Sequence, residues 1–190
     1  MPSNASATLS SLPPNKETAS IADAQAGDQA ALGFLYAHYV RRVYRYFYAR
    51  VGNRLDAEDL TSRTFLSVVE GLPRYRHRGL FAAWLFTIAR RKAIEHYRRR
   101  VPVTSIDELE VPSPASDPDV LAALAQDVDD LAGRIRDLNS SEQDLLRLRF
   151  AAQLSFKEVG AVVGKSEGAT KKAIYRLLAR LHDQMEDTHV

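Results

Sequence analysis

Apolar residues recur every three or four positions along most of this chain and almost nowhere alternate. A period near 3.6 marks amphipathic helices, whereas half-buried strands alternate. Ala31, Leu32, Leu35, Tyr36, Tyr39, Val40, Val43, Tyr44 and Phe47 form one such stripe. It predicts a long helix capped by Asp28 and ended by Gly52 and Asn53. Ala57, Leu60, Thr64, Phe65, Val68 and Val69 predict a second, capped by Asp56 and stopped by Gly71 and Pro73. Phe81, Trp84, Leu85, Ile88, Ala89 and Ile94 predict a third, running to Arg100. Clear hairpin signals are missing, so the expected fold is all-α.

The periodicity then fails. Residues 101–118 hold four prolines and no helical pattern, as a linker does. A helix is expected to resume near Asp119 and continue to about Leu138. Ser140 with Gln143 reads as a capping box that opens another helix. Ser155 with Glu158 reads as a second box, and Gly164 suits a left-handed stop. Ser166 can cap a last helix whose apolar side carries Ala169, Ile174, Leu177, Leu178 and Leu181. Short helix, tight turn and longer basic helix are the layout of a helix-turn-helix, whose second helix enters the DNA major groove. The bland alternative is an ordinary packed helix pair. Two capping boxes, two glycines (Gly160 and Gly164) and a cationic second helix weigh against it.

Charge sharpens this picture. The net charge of +2 on 190 residues says little, but its distribution is uneven. Basic residues dominate from Arg41 to Arg100, every charged residue from Asp107 to Asp130 is acidic, and Arg and Lys return from Arg134. Two nucleic-acid-facing units joined by an anionic connector would look like this. The stretch from Arg74 to Arg100 interleaves Tyr75, Phe81, Trp84, Phe86 and Tyr97 with cations, which suits unpaired bases stacked on rings. Phe81, Trp84, Leu85 and Ile88 have helical spacing, however, and read as core first. Cysteine is absent, which excludes disulfides and thiolate ligands within the chain. No apolar run reaches membrane-span length. The first twenty residues lack the features of a secretory signal and read as a disordered tail, so a cytoplasmic protein is expected. The five histidines show no metal-ligand spacing, and no catalytic motif, metal site or cofactor site is expected.

Taken together, Asp56 to Leu60 with Phe65, Phe81 to Leu85 with Ile88 to Arg90, Ala93 to His96 with Arg98 to Arg100, Leu138 to Glu142, and Ser155 to Arg180 resemble the bacterial sigma factors of the extracytoplasmic-function (ECF) group. The resemblance implies two small helical domains joined by a flexible acidic linker. Residues 1–20 would be the tail, 21–100 the region 2 domain, 101–133 the linker and 134–186 the region 4 helix-turn-helix domain. It implies contact with the RNA polymerase core, at its β′ clamp helices and β flap, and with promoter DNA. Polymerase contact falls on Asp56, Glu58, Asp59, Leu60, Ser62 and Arg63. Recognition and melting of the −10 element fall on Arg76, His77, Arg78, Gly79, Arg90, Arg91, Lys92, Glu95 and His96. Reading of the −35 element falls on Ser166, Glu167, Thr170, Lys171, Lys172, Tyr175 and Arg176. Many such proteins are held inactive by an anti-sigma factor, so that partner is expected too. The acidic linker would imitate nucleic acid in a basic channel, or simply aid solubility. A stand-alone helix-turn-helix regulator is the alternative function, and an interaction protein that does not read DNA is a third.

Overall fold

The computed structural model describes residues 14–76, 80–99 and 129–186. These form helices α1 (Pro14–Gln25), α2 (Gln29–Val51), α3 (Arg54–Gly71), a short 3₁₀ turn (Leu72–Arg74) and α4 (Phe81–Arg99). After the connecting stretch come α5 (residues 129–137), α6 (Ser140–Leu146), a π turn (Arg147–Ala151), α7 (Phe156–Val163) and α8 (Glu167–Glu186). No strand occurs among the described residues. The helix expected from Asp119 is therefore seen only from residue 129, its start lying outside the described residues.

Local chemistry sets most boundaries. Asp28 accepts from the backbone amides of Ala30 and Ala31 at 2.7 and 3.2 Å, capping α2. Gly52 ends that helix at φ 74°, a conformation glycine adopts without steric cost. The cap of α3 is Asn53 rather than Asp56. Gly52 turns the chain so that Asn53 is already extended, and its side chain accepts from the Asp56 amide at 2.8 Å. Likewise α6 is capped by Asn139 with Glu142, one residue earlier than the Ser140–Gln143 box. The Gln143 amide instead donates to the carbonyls of Arg136 and Leu138, both at 2.9 Å.

Helix α1 begins inside the stretch expected to be tail. Proline is well placed at a first helical position, where a missing N–H costs nothing. Ile21 is buried in the core, and the Tyr39 hydroxyl donates to Glu17. Glu17 and Ile21 are held by partners from elsewhere in the chain, so composition alone misplaced the boundary.

Helix α2 is the central element, packed against α1, α3, α4 and the π turn. Tyr46, Phe47, Phe81 and Phe86 are the largest fully buried side chains of this core. The same apolar cluster takes in Leu145, Leu148, Leu154, Val159 and Ile174, with α7 packed against α4 and the π turn against α2. Polar bonds cross this seam. Asp144, with 4% of its side chain exposed, accepts from Tyr46 Oη at 3.0 Å, Arg50 Nη1 at 2.6 Å and Arg90 Nε at 2.5 Å. Arg42 donates to the carbonyls of Ala152 and Gln153 at 2.8 and 3.0 Å. Arg147 donates to the Ala49 carbonyl at 2.9 Å. Burying a carboxylate is costly unless it is paired and hydrogen-bonded, and Asp144 is both.

Candidate nucleic-acid interface

The helix-turn-helix is built from a few local contacts. Ser155 Oγ accepts from the Glu158 amide at 3.2 Å, and Glu158 Oε2 accepts from the Ser155 amide at 2.7 Å. Gly164 closes α7 at φ 73°. Gly160 does more than tolerate a helix: a Cβ there would stand 2.6 Å from the Lys165 carbonyl oxygen and 3.0 Å from Thr170 Oγ1. Only a bare backbone lets the turn and α8 approach this closely. Ser166 caps α8, accepting from the Ala169 amide at 3.2 Å.

This packing sorts the −35 candidates. Ser166, Glu167, Lys171, Lys172, Tyr175 and Arg176 are all exposed, while Ile174, Leu177 and Leu181 face the core. Lys171 Nζ lies 5.8 Å from the centre of the Tyr175 ring. Thr170 is the exception. It is fully buried against Gly160, and its hydroxyl donates to the Ser166 carbonyl at 2.9 Å. It packs the turn, and its hydroxyl is taken up by the backbone. Ala169, expected on the apolar side, is exposed in its place.

The polymerase-contact candidates divide as well. Glu58, Asp59, Ser62 and Arg63 are exposed along α3, joined by Arg54–Glu58 and Arg63–Asp59 ion pairs at 2.7 and 3.0 Å. Leu60 is buried, and Asp56 is half-buried beside Asn53, 3.8 Å from His96 Nε2. Leu55 and Leu66, 79% and 65% exposed, stand on the same face as Asp59 and Ser62. Val69, expected in the core, is exposed there too. These apolar residues were missed because they share the helical period of the core stripe. Their offset from it, at spacings of eleven and fourteen residues, was the signal available.

The −10 candidates lie on two sides of α4. His77, Arg78 and Gly79 lie outside the described residues, and Arg76 is exposed. Arg90 points at the seam and pairs with Asp144. Arg91, Lys92 and Glu95 border a cavity of about 470 Å³ walled by Tyr75 and Trp84 and rimmed further by Arg74. The Tyr75 and Trp84 ring centres are 4.6 Å apart, and Arg91 pairs with Glu95 at 2.9 Å. His96 turns away toward Asp56. Phe81 and Leu85 are core, as their spacing predicts, but half-buried Trp84 and Ile88 line this cavity. Two rings beside three cations and one carboxylate can stack a base and hold its phosphate.

Electrostatics at the seam follow from burial. Desolvation and the Asp144 charge raise the Tyr46 phenol well above its usual range, so it stays a neutral donor. Burial, then the neighbouring Arg50, lowers the Arg147 guanidinium. Among the described residues no three His, Asp or Glu side chains are grouped as a metal site, and no helix is long and apolar enough to cross a membrane.

Comparison with known proteins matches this architecture. Residues 35–102 match sigma-70 region 2. The ECF RNA polymerase sigma factor SigD of Mycobacterium tuberculosis is 33% identical over 175 residues, covering 87% of this chain and 82% of that protein. The ECF RNA polymerase sigma factor BldN of Streptomyces coelicolor is 39% identical over 170 residues, or 86% of this chain. The chain spans 64% of the length of BldN. The solved structure of CnrH in complex with the cytosolic domain of CnrY superposes with a TM-score of 0.63 at 22% identity, covering 90% of this chain and 98% of CnrH. That likeness concerns the fold. The chain belongs to the ECF RNA polymerase sigma factors.

Proposed function

We propose that this chain directs transcription initiation by binding core RNA polymerase and recognising the −35 and −10 promoter elements. The observation that carries the reading is the separation of exposed cations into two differently built surfaces. One is the helix face of Lys171, Lys172 and Arg176, ridged for a major groove. The other is the aromatic cavity at Tyr75 and Trp84, shaped for unpaired bases. Phosphate contacts on the first give affinity and register, while Glu167 and Tyr175 face base edges. On the second, Arg74, Arg91 and Lys92 hold the displaced strand. Unstacking a base costs a few kcal/mol, which the aromatic wall offsets.

The face of α3 with Leu55, Asp59, Ser62, Arg63 and Leu66 is the polymerase-docking surface in this reading. No covalent step is assigned to the chain; the polymerase performs the chemistry. It acts in the cytoplasm, where that enzyme works. An anti-sigma factor that covers these faces is the regulatory partner we propose. Salt titration of −35 duplex binding tests the DNA reading. Replacing Lys171 and Arg176 together by Ala should flatten the dependence of log K on log salt by about two. An unchanged slope would contradict it.

A further inference from the structure

Helix α1 ends at Gln25, whose side chain reaches across to the segment before the Tyr75–Trp84 cavity. Its Nε2 donates to the Leu72 carbonyl at 2.8 Å and to the Tyr75 carbonyl at 2.7 Å. Both amide hydrogens are used, and the opposite orientation of the amide would set its oxygen against two carbonyls. Leu72 opens the 3₁₀ turn, and Tyr75 follows its end. One side chain therefore ties both ends of that turn to a helix forty-seven and fifty residues away in sequence. The turn carries Arg74 and leads into Tyr75, two residues that line the cavity. Tyr75 stands edge-on to Phe81 at 5.4 Å and tilted on Trp84 at 4.6 Å, so its backbone position sets the wall. Gly71 lines the same cavity, and a Cβ there would lie 3.1 Å from the indole, so the bare backbone leaves room for Trp84 to lie against it.

We propose that α1 is part of the strand-opening apparatus, and that Gln25 is its positioning residue. It fixes the Leu72–Tyr75 turn so that Tyr75, Trp84 and the surrounding cations hold an unpaired nucleobase of single-stranded DNA. This rests on the reading of the cavity given above and adds an element beyond the matched residues 35–102. Helix α1 is itself firmly anchored, since Ile21 is buried and Glu17 accepts from Tyr39. A turn held at both ends keeps its ring in place before a base arrives, so binding does not bear the cost of ordering it.

Trp84 is the single tryptophan of the chain, so its fluorescence reports on this cavity alone. The 190-residue chain is titrated with short single-stranded DNA of mixed sequence. The wild-type chain should show Trp84 quenching. Gln25→Glu keeps the shape but sets oxygens against the two carbonyls, and Gln25→Met keeps the length without donors. Both should weaken the quenching titration by about tenfold, because stacking of this strength depends on ring placement. Thermal unfolding and −35 duplex binding should stay near wild type. Quenching of equal affinity in both variants would overturn the role of Gln25 and leave the cavity reading standing. No quenching in the wild-type chain would overturn the cavity reading, and the proposal with it. Loss of thermal stability and duplex binding in step with quenching in both variants would make Gln25 a fold residue only.

Discussion

Residues of the same type play different parts here according to what surrounds them. Lys171 and Lys172 are exposed, whereas Thr170 beside them is sealed under Gly160. The sequence offered a hydroxyl next to two cations, which is how a base reader looks. Its burial depends on a glycine ten residues earlier, which spacing alone does not reveal. His38 shows environment acting on charge. Burial, then the charge of Arg42, lowers its pKa below 6.5, with Glu17 opposing. Its Nε2 meets no hydrogen-bond partner among the described residues. The unfolded chain thus binds a proton at His38 more readily than the folded chain. Stability from this site is full above pH 6.5 and is lost as pH falls toward the lower folded value. His38→Leu should flatten the fall in unfolding midpoint below pH 6.5, measured on both proteins across that range. An identical fall in both would show that His38 plays no part.

At the scale of elements, helices with a single local cap were legible and those with two candidates were not. Asp28 on α2 and the Ser155–Glu158 box on α7 stand as the sequence predicts. Asn53 and Asp56 compete for one helix start, and the left-handed Gly52 settles it in favour of Asn53. The start of α1 was hidden because its anchors, Tyr39 and the core around Ile21, come from elsewhere in the chain. The helix-turn-helix itself was legible, yet the function of Gly160 was not. The sequence offers it only as one of two glycines in the motif, whereas in the fold it lets the turn and α8 come close to α7. Gly160→Ala should cost about 1–3 kcal/mol, since the Lys165 carbonyl is backbone and yields poorly. Chemical denaturation checks this; an unchanged midpoint would mean that the turn relaxes freely.

Across the whole molecule, the sequence suggested two units on a tether, whereas the two helical sets share one apolar cluster. The partners of Asp144 lie 98, 94 and 54 residues away, so no local pattern could announce them. Asp144→Ala leaves Arg50 and Arg90 without their shared carboxylate, and breaking a buried pair costs about 3–5 kcal/mol. The expected result is separation of the two sets, seen as a larger radius of gyration by small-angle scattering with the helical circular dichroism kept. An unchanged radius would show that the apolar contacts alone hold the seam. Arg90 is both a −10 candidate and a member of this seam, its Nε held by Asp144.

Promoter-directed initiation is the central claim about this molecule. Run-off transcription on genomic fragments, with purified bacterial core polymerase and with or without this protein, tests it most directly. Discrete new start sites that share a −35 and a −10 motif are expected, and they should be lost when Lys171 and Arg176 are replaced. Duplex binding by the protein alone, with no new start sites from polymerase that it demonstrably binds, would contradict the claim.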